Sequence, residues 1–226
     1  MVASSPAVAP LPLPRSSVAV HRPSRPPNFA AHSLTSAPYR WRRCAKVAAQ
    51  VDTRPPLVVV GSANADIVLS VGRLPLAGET LAASDLHTFP GGKGANQASA
   101  AGRLAYPTLF VGQLGSDANA AILRDSLADS GVDCSGVRVV EGPTGSAVIL
   151  LQPSGENSII IAGGANQAEW TLTEAVKKSI AGAGMVLLQR EIPESVNIEV
   201  AKIAQAAGVP VVLDVGGEEG AISDEL

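Results

Sequence analysis

The chain has 226 residues, 46% of them hydrophobic and only 3% aromatic, with a formal charge of −3. That length suits one or two domains, and no run of about eighteen apolar residues offers a membrane span. The two cysteines, Cys44 and Cys134, are too few for a disulfide framework or a cysteine-based metal site.

The charge is unevenly spread. The first 51 residues hold six arginines and Lys46 with no Asp or Glu, which leaves −10 on the remainder. This part is rich in Ser, Pro and Ala and shows no sustained apolar period. Arg-rich, Ser-rich, acid-free N-termini read as organelle transit peptides. Residues 1–50 are therefore expected to be a disordered targeting segment, with a plastid as destination and a mitochondrion as the alternative. A basic tail that binds nucleic acid is the competing reading. The scatter of arginines among prolines, with few aromatics, argues against it, and neither a nucleic-acid nor a membrane partner is expected.

The folded part is expected from residue 57. Leu57-Val58-Val59-Val60 is wholly apolar and mostly β-branched, which suits a buried parallel strand. It ends at Gly61-Ser62-Ala63-Asn64-Ala65-Asp66, and polar residues at the carboxyl end of such a strand are where open α/β sheets bind ligands. Ile67, Leu69 and Val71 then alternate with other residues, and 80–89 reads as a second half-buried strand. The two suggest a small β-lid.

Phe89-Pro90-Gly91-Gly92-Lys93-Gly94-Ala95-Asn96-Gln97-Ala98 reads as a tight Pro-Gly-Gly turn running into a small-residue helix. The helix start is expected to offer unpaired N–H donors and a partial positive charge. Lys93 and Asn96, three apart, are expected on one face. A phosphate-binding P-loop is excluded because Gly94 stands where Ser or Thr is needed. A dinucleotide fingerprint is excluded because residue 97 is Gln.

Further on, 108–111 reads as a strand. Ser116 or Asp117 caps a helix with Ala120, Leu123 and Leu127 on its apolar stripe and Gly131 at its end. Residues 146–151 and 158–162 read as a hairpin-like pair belonging to the lid. Gly163-Gly164-Ala165-Asn166 reads as a loop near the lid. Thr171-x-x-Glu174 matches a capping box, with Trp170 placed to staple against Ala175. Residues 185–188 form a strand, Val196, Val200, Ile203 and Ala207 mark a helix closed by Gly208, and 209–213 form the last strand. This alternation argues an α/β fold with a mostly parallel sheet.

Three ordered motifs carry a resemblance. The segment from Pro90 to Ala98, Gly61-Ser62-Ala63-Asn64-Ala65-Asp66, and Leu74-Pro75-Leu76-Ala77-Gly78-Glu79-Thr80 resemble the ribokinase family of sugar kinases. The resemblance runs from about Leu57 to the end. It implies a ribokinase-like α/β fold over 57–226, a parallel sheet flanked by helices with a small β-lid, and a C-terminal part of the fold missing. It implies a sugar site of Asn64, Ala65, Asp66, Gly92, Lys93, Gly94, Ala95, Asn96 and Glu191. Carboxylates accept sugar hydroxyl hydrogens, and ammonium and amide groups supply the reciprocal donors. The implied reaction is ATP-dependent phosphorylation of D-ribose at O5, with Mg2+ as a cofactor, K+ in some relatives, and a homodimer through the lid. The catalytic base, anion hole and nucleotide loop are expected beyond Leu226, so this chain is expected to carry the sugar-binding half and to be inactive by itself. Alternatives are a non-catalytic sugar- or partner-binding isoform and a kinase of another sugar or nucleoside. The chain departs from the family at Arg190, where an apolar residue is usual, and at Ala105 and Ala120. Both alanines are small, so little consequence is expected of them.

Overall fold

The structure is a computed structural model and describes residues 53–216 and 220–226. The expected targeting segment over residues 1–50 lies outside the described residues.

Two sheets are built on one chain. The first has five parallel strands in the order β5-β4-β1-β8-β9. These are β1 (Leu57–Val60), β4 (Thr108–Leu114), β5 (Asp133–Val139), β8 (Met185–Gln189) and β9 (Val211–Asp214). β1 is central because both of its faces are apolar. Val58 and Val60 point into a cluster with Leu109, Ile180, Leu188 and Val200, beneath helices α3 (Glu174–Ala181) and α4 (Glu194–Ala206). Val59 points the other way, into a cluster with Ala95, Phe110, Leu123 and Leu127. That face is covered by helices α1 (Lys93–Arg103) and α2 (Ala118–Asp129). The period-two reversal of side chains along β1 thus sorts its valines into two cores. Among the described residues no helix is long and apolar enough to cross a membrane.

The second sheet is the lid, in the order β3-β2-β6-β7. It comprises β2 (Asn64–Ser70), β3 (Asp85–Gly91), β6 (Gly145–Leu151) and β7 (Asn157–Ala162). β2 pairs antiparallel with β3 and parallel with β6, and β6 pairs antiparallel with β7.

Local expectations need correction. The second lid strand is Asp85–Gly91, not 80–89, and it runs straight through Pro90, so no Pro-Gly-Gly turn forms. β3 is an edge strand, where a missing N–H on the open side breaks no ladder bond. Gly92 alone, at φ +89, makes the change from strand to helix. β5 was not anticipated, because Asp-Cys-Ser-Gly-Val-Arg-Val lacks an apolar run and sits at the sheet edge. The cap of α3 is Thr173, whose hydroxyl accepts from Val176 N, and not Thr171. Thr173 directly precedes the helix in extended backbone, which is the geometry an N-cap needs. Trp170 packs on the core and donates its indole N–H to Asn166 O at 2.9 Å.

A further correction concerns Ala105. It lies at φ +56, the one non-glycine residue in the left-handed region among the described residues. The small side chain therefore does have a consequence, because any Cβ is strained there.

Candidate functional site

The site is built where β1, β8 and β9 end and the lid begins. The surrounding elements deliver polar groups there. The start of β2 brings Asn64 and Asp66, the start of α1 brings Lys93, the segment after β8 brings Glu191, and the end of β9 brings Asp214.

The helix start is not an open donor site. Lys93 N donates to Glu191 Oε2 at 3.0 Å, Gly94 N to Ser62 Oγ at 3.4 Å, and Ala95 N to Ser62 O at 2.9 Å. Ser62 Oγ in turn donates to Glu191 Oε2 at 2.6 Å. The expectation of unpaired N–H groups at this helix is thus overturned. Gly92 supplies no side-chain cap, so a carboxylate from 98 residues away does so and places its negative charge at the positive end of the helix.

Glycines make this approach fit. A Cβ on Gly92 would sit 2.7 Å from Asn64 N, and one on Gly94 would sit 2.8 Å from Ser62 N. Both contacts are with backbone, which cannot swing away. Gly94, Ala95 and Ala65 are buried, with Ala95 inside the core beside Phe110. They let β1, β2 and α1 come together and point into the protein.

Asp66 is half-buried in β2, opposite Phe89 of β3. Its carboxylate covers Gly91, where a Cβ would lie 2.1 Å from Oδ2. Burial, and secondarily the negative charge of Glu191, push the Asp66 carboxyl above its ordinary value of 3.8. Among the described residues no hydrogen bond or cation pulls it back. Asp66 and Glu191 are thus near enough for the charge of Glu191 to disfavour that of Asp66, a repulsion that donor groups of a ligand relieve.

Lys93 has its own support. Its Nζ lies 4.0 Å from Asp214 Oδ2 and is about one-third exposed. Asp214 Oδ2 also accepts from Gln97 Nε2 at 3.4 Å, and Gln97 Oε1 accepts from the fully buried Gln189 at 2.8 Å. Among the described residues the ammonium thus has this one long ion pair. Gln97, Gln189, Ser62 and Asp214 were not anticipated as site residues. Asp214 carried the one available signal, an acid at the carboxyl end of an apolar strand.

Asn64 and Glu191 line a cavity of about 540 Å3, with Ile161 of the lid, Asn166 and Arg190 also on its wall. Asn64 is nearly buried, and its Oδ1 accepts from Asn166 Nδ2 at 2.7 Å. Asn96 is placed elsewhere. It is exposed and lines a separate recess of about 190 Å3 between α1 and α2, with Ser99, Arg103 and Ser126. The structure therefore gathers Asn64, Asp66, Lys93 and Glu191, and leaves Asn96 on another side of the helix. Among the described residues no group of three or more His, Cys, Asp or Glu side chains is placed to hold a metal ion.

Comparison with known proteins agrees in one direction. Residues 55–224 match the pfkB family of carbohydrate kinases. The chain is 49% identical over 209 residues to a ribokinase of Arabidopsis thaliana, covering 90% of this chain and 54% of the relative. It is 39% identical over 176 residues to a ribokinase of Haemophilus influenzae, covering 76% of this chain and 57% of the relative. The structure superposes on that of Arabidopsis thaliana ribokinase complexed with ribose and ATP, with a TM-score of 0.72 and 52% identity. That match covers 76% of this chain and 57% of the other. The chain thus spans about half the length of the curated relatives it matches.

Proposed function

The chain belongs to the pfkB family of carbohydrate kinases, and from that premise we propose that it serves the ATP-dependent phosphorylation of D-ribose at O5, contributing the sugar-binding half of the site. The observation that carries this reading is the pair Asp66 and Glu191. Asp66 is pushed toward protonation by burial and by the charge of Glu191, and Glu191 itself accepts from the backbone N–H of Lys93 at the start of α1.

A sugar relieves this strain. Its hydroxyls donate to the two carboxylates, and its oxygens accept from Lys93 and Asn64. The lid, carrying Asp66 and Ile161, covers the sugar and excludes water. A dry site strengthens each of these hydrogen bonds and holds O5 in one direction. The proton acceptor for that hydroxyl and most contacts to ATP are assigned to the length of the relatives that this chain does not span. Mg2+ and K+ are implied by the resemblance, and among the described residues no group of three or more His, Cys, Asp or Glu side chains is placed to hold a metal ion. The same resemblance supports a homodimer through the lid. The acid-free basic composition of residues 1–50 supports their role in directing import to a plastid.

The test is a calorimetric titration of D-ribose, D-fructose and adenosine into the 226-residue chain. Saturable uptake of ribose, with the other two at least tenfold weaker, is expected. Equal uptake of all three, or none of ribose, would overturn the reading.

A further inference from the structure

Asn166, in the short 3-10 helix Gly164–Gln167 that follows the lid, is 1% exposed. Its amide orientation is set by backbone. Ala63 N donates to Asn166 Oδ1 at 3.0 Å, and Asn166 Nδ2 donates to Ala63 O at 3.2 Å. A backbone N–H only donates and a carbonyl only accepts, so the oxygen and nitrogen of Asn166 cannot be exchanged.

The second hydrogen of Asn166 Nδ2 goes to Asn64 Oδ1 at 2.7 Å. This in turn settles Asn64. Its oxygen is engaged inside the protein, and its own NH2 group has no acceptor among the described residues. Asn64 lines the 540 Å3 cavity. Gly145, at the start of β6, makes the arrangement possible. A Cβ there would lie 2.1 Å from Asn166 Nδ2 and 2.4 Å from Asn64 Oδ1. The 3-10 helix is itself anchored, since Ala165 N donates to Pro143 O and Trp170 Nε1 donates to Asn166 O, both at 2.9 Å.

We propose that Asn166 is a positioning residue, which turns the Asn64 side chain so that its NH2, and not its carbonyl, is offered to an acceptor oxygen of the ligand. The chemistry favoured at this point of the cavity is a hydroxyl or ring oxygen that accepts, opposite the carboxylates that take the ligand's donors. The identity of that ligand as ribose rests on the function proposed above.

The test combines binding and exchange on the 226-residue chain. Asn166→Asp keeps the acceptor for Ala63 N but removes both donors, and Gly145→Ala wedges the amide pair without deleting a polar group. Each is expected to weaken ribose binding about tenfold or more, as loss of one buried hydrogen bond does. In an Asn64→Ala background, Asn166→Asp should cost less than about threefold more, because its effect passes through Asn64. An equal loss with and without Asn64, or unchanged affinity in both variants, would overturn the proposal.

Side-chain amide exchange followed by NMR separates the two claims and does not depend on the variants folding. Asn166 NH2 protons are expected to be protected in the free chain, and those of Asn64 to become protected only when ribose is added. Rapid exchange at Asn166 overturns the alignment whatever binds. A wild-type chain that takes up no ribose while Asn166 stays protected removes the ribose reading and leaves the alignment standing.

Discussion

The two sheets of this protein obey different rules, although both were built from Val, Ile and Leu. In the five-stranded sheet, Val58, Val59, Phe110 and Val186 are wholly buried because helices cover both faces. In the lid, Ile159, Ile160 and Ile161 are 52%, 66% and 52% exposed, and Leu86 and Phe89 are more than half exposed. The same side chains are thus structural in one region and available in the other. The main sheet holds the fold together, and the lid keeps apolar and acidic groups ready above the carboxyl ends of its strands.

The largest expected effect probes the main sheet. Phe110→Ala, at the heart of one core, should cost about 3–5 kcal/mol of stability in urea or thermal unfolding, through lost transfer energy and the cavity left behind. If it cost under 1 kcal/mol, Phe110 would not be the core residue described.

Next come the residues where lid and sheet meet. Asp66→Ala and Lys93→Ala should each lower ribose affinity roughly ten- to a hundredfold, since charged hydrogen bonds contribute about 1.5–3 kcal/mol each. The melting temperature should stay level or, for Asp66→Ala, rise slightly, because that carboxyl is held in a state unfavourable to its charge. A loss of stability in step with affinity would make these residues structural after all.

The acid pair also gives a pH dependence. Sugar hydroxyls bond the ionised carboxylate, so binding favours the charged form of Asp66 and releases protons. Ribose affinity should therefore rise as pH climbs from about the ordinary 3.8 through the raised Asp66 value, and flatten above it. Stability from the same group runs oppositely. It is fully present below the ordinary value and lost as pH passes the raised one. Asp66→Asn should flatten both profiles, and profiles unchanged by that substitution would assign the titration elsewhere.

A smaller effect separates backbone from side chain. Ala105→Gly should raise stability by about 0.5–1 kcal/mol by relieving the left-handed strain after α1. The smallest belongs to the lid. Ile160→Ala should change monomer stability by less than about 0.5 kcal/mol, as expected of a largely exposed position. A fall of 2 kcal/mol or more would show that this face is covered in solution, which the proposed lid dimer would produce.

Much of this was legible in the residues, for reasons that differ by element. Leu57–Val60 announced a central strand because four consecutive apolar residues tolerate burial on both faces. Leu123 and Leu127 announced the inward stripe of α2, and Ser116 or Asp117 its cap, of which Asp117 takes the role and accepts from Ala120 N. The lid hairpin was readable from its two apolar runs around Pro153-Ser154-Gly155-Glu156, and pairs as expected from Ser146↔Ala162 to Leu151↔Asn157. β5 escaped because an edge strand needs little apolar surface, so its residues carry little pattern. Asn166 was passed over as part of a loop, since nothing local shows that its amide reaches Ala63, 103 residues earlier.

The sequence by itself determined the periodicities, the caps next to their helices, the glycines at close approaches and the set of polar groups available for a ligand. All of these act over a few residues, where chain geometry dictates the partner. Only the tertiary structure decided that Glu191 caps α1, that Gln189 and Gln97 lead to Asp214 and Lys93, and that Asn96 turns away from Asn64. Those outcomes join residues 92 or more positions apart or depend on which side of α1 faces α2. A hydrogen bond is satisfied by whichever group the packed sheets bring within about 3 Å, and that choice exists only once the cores have closed.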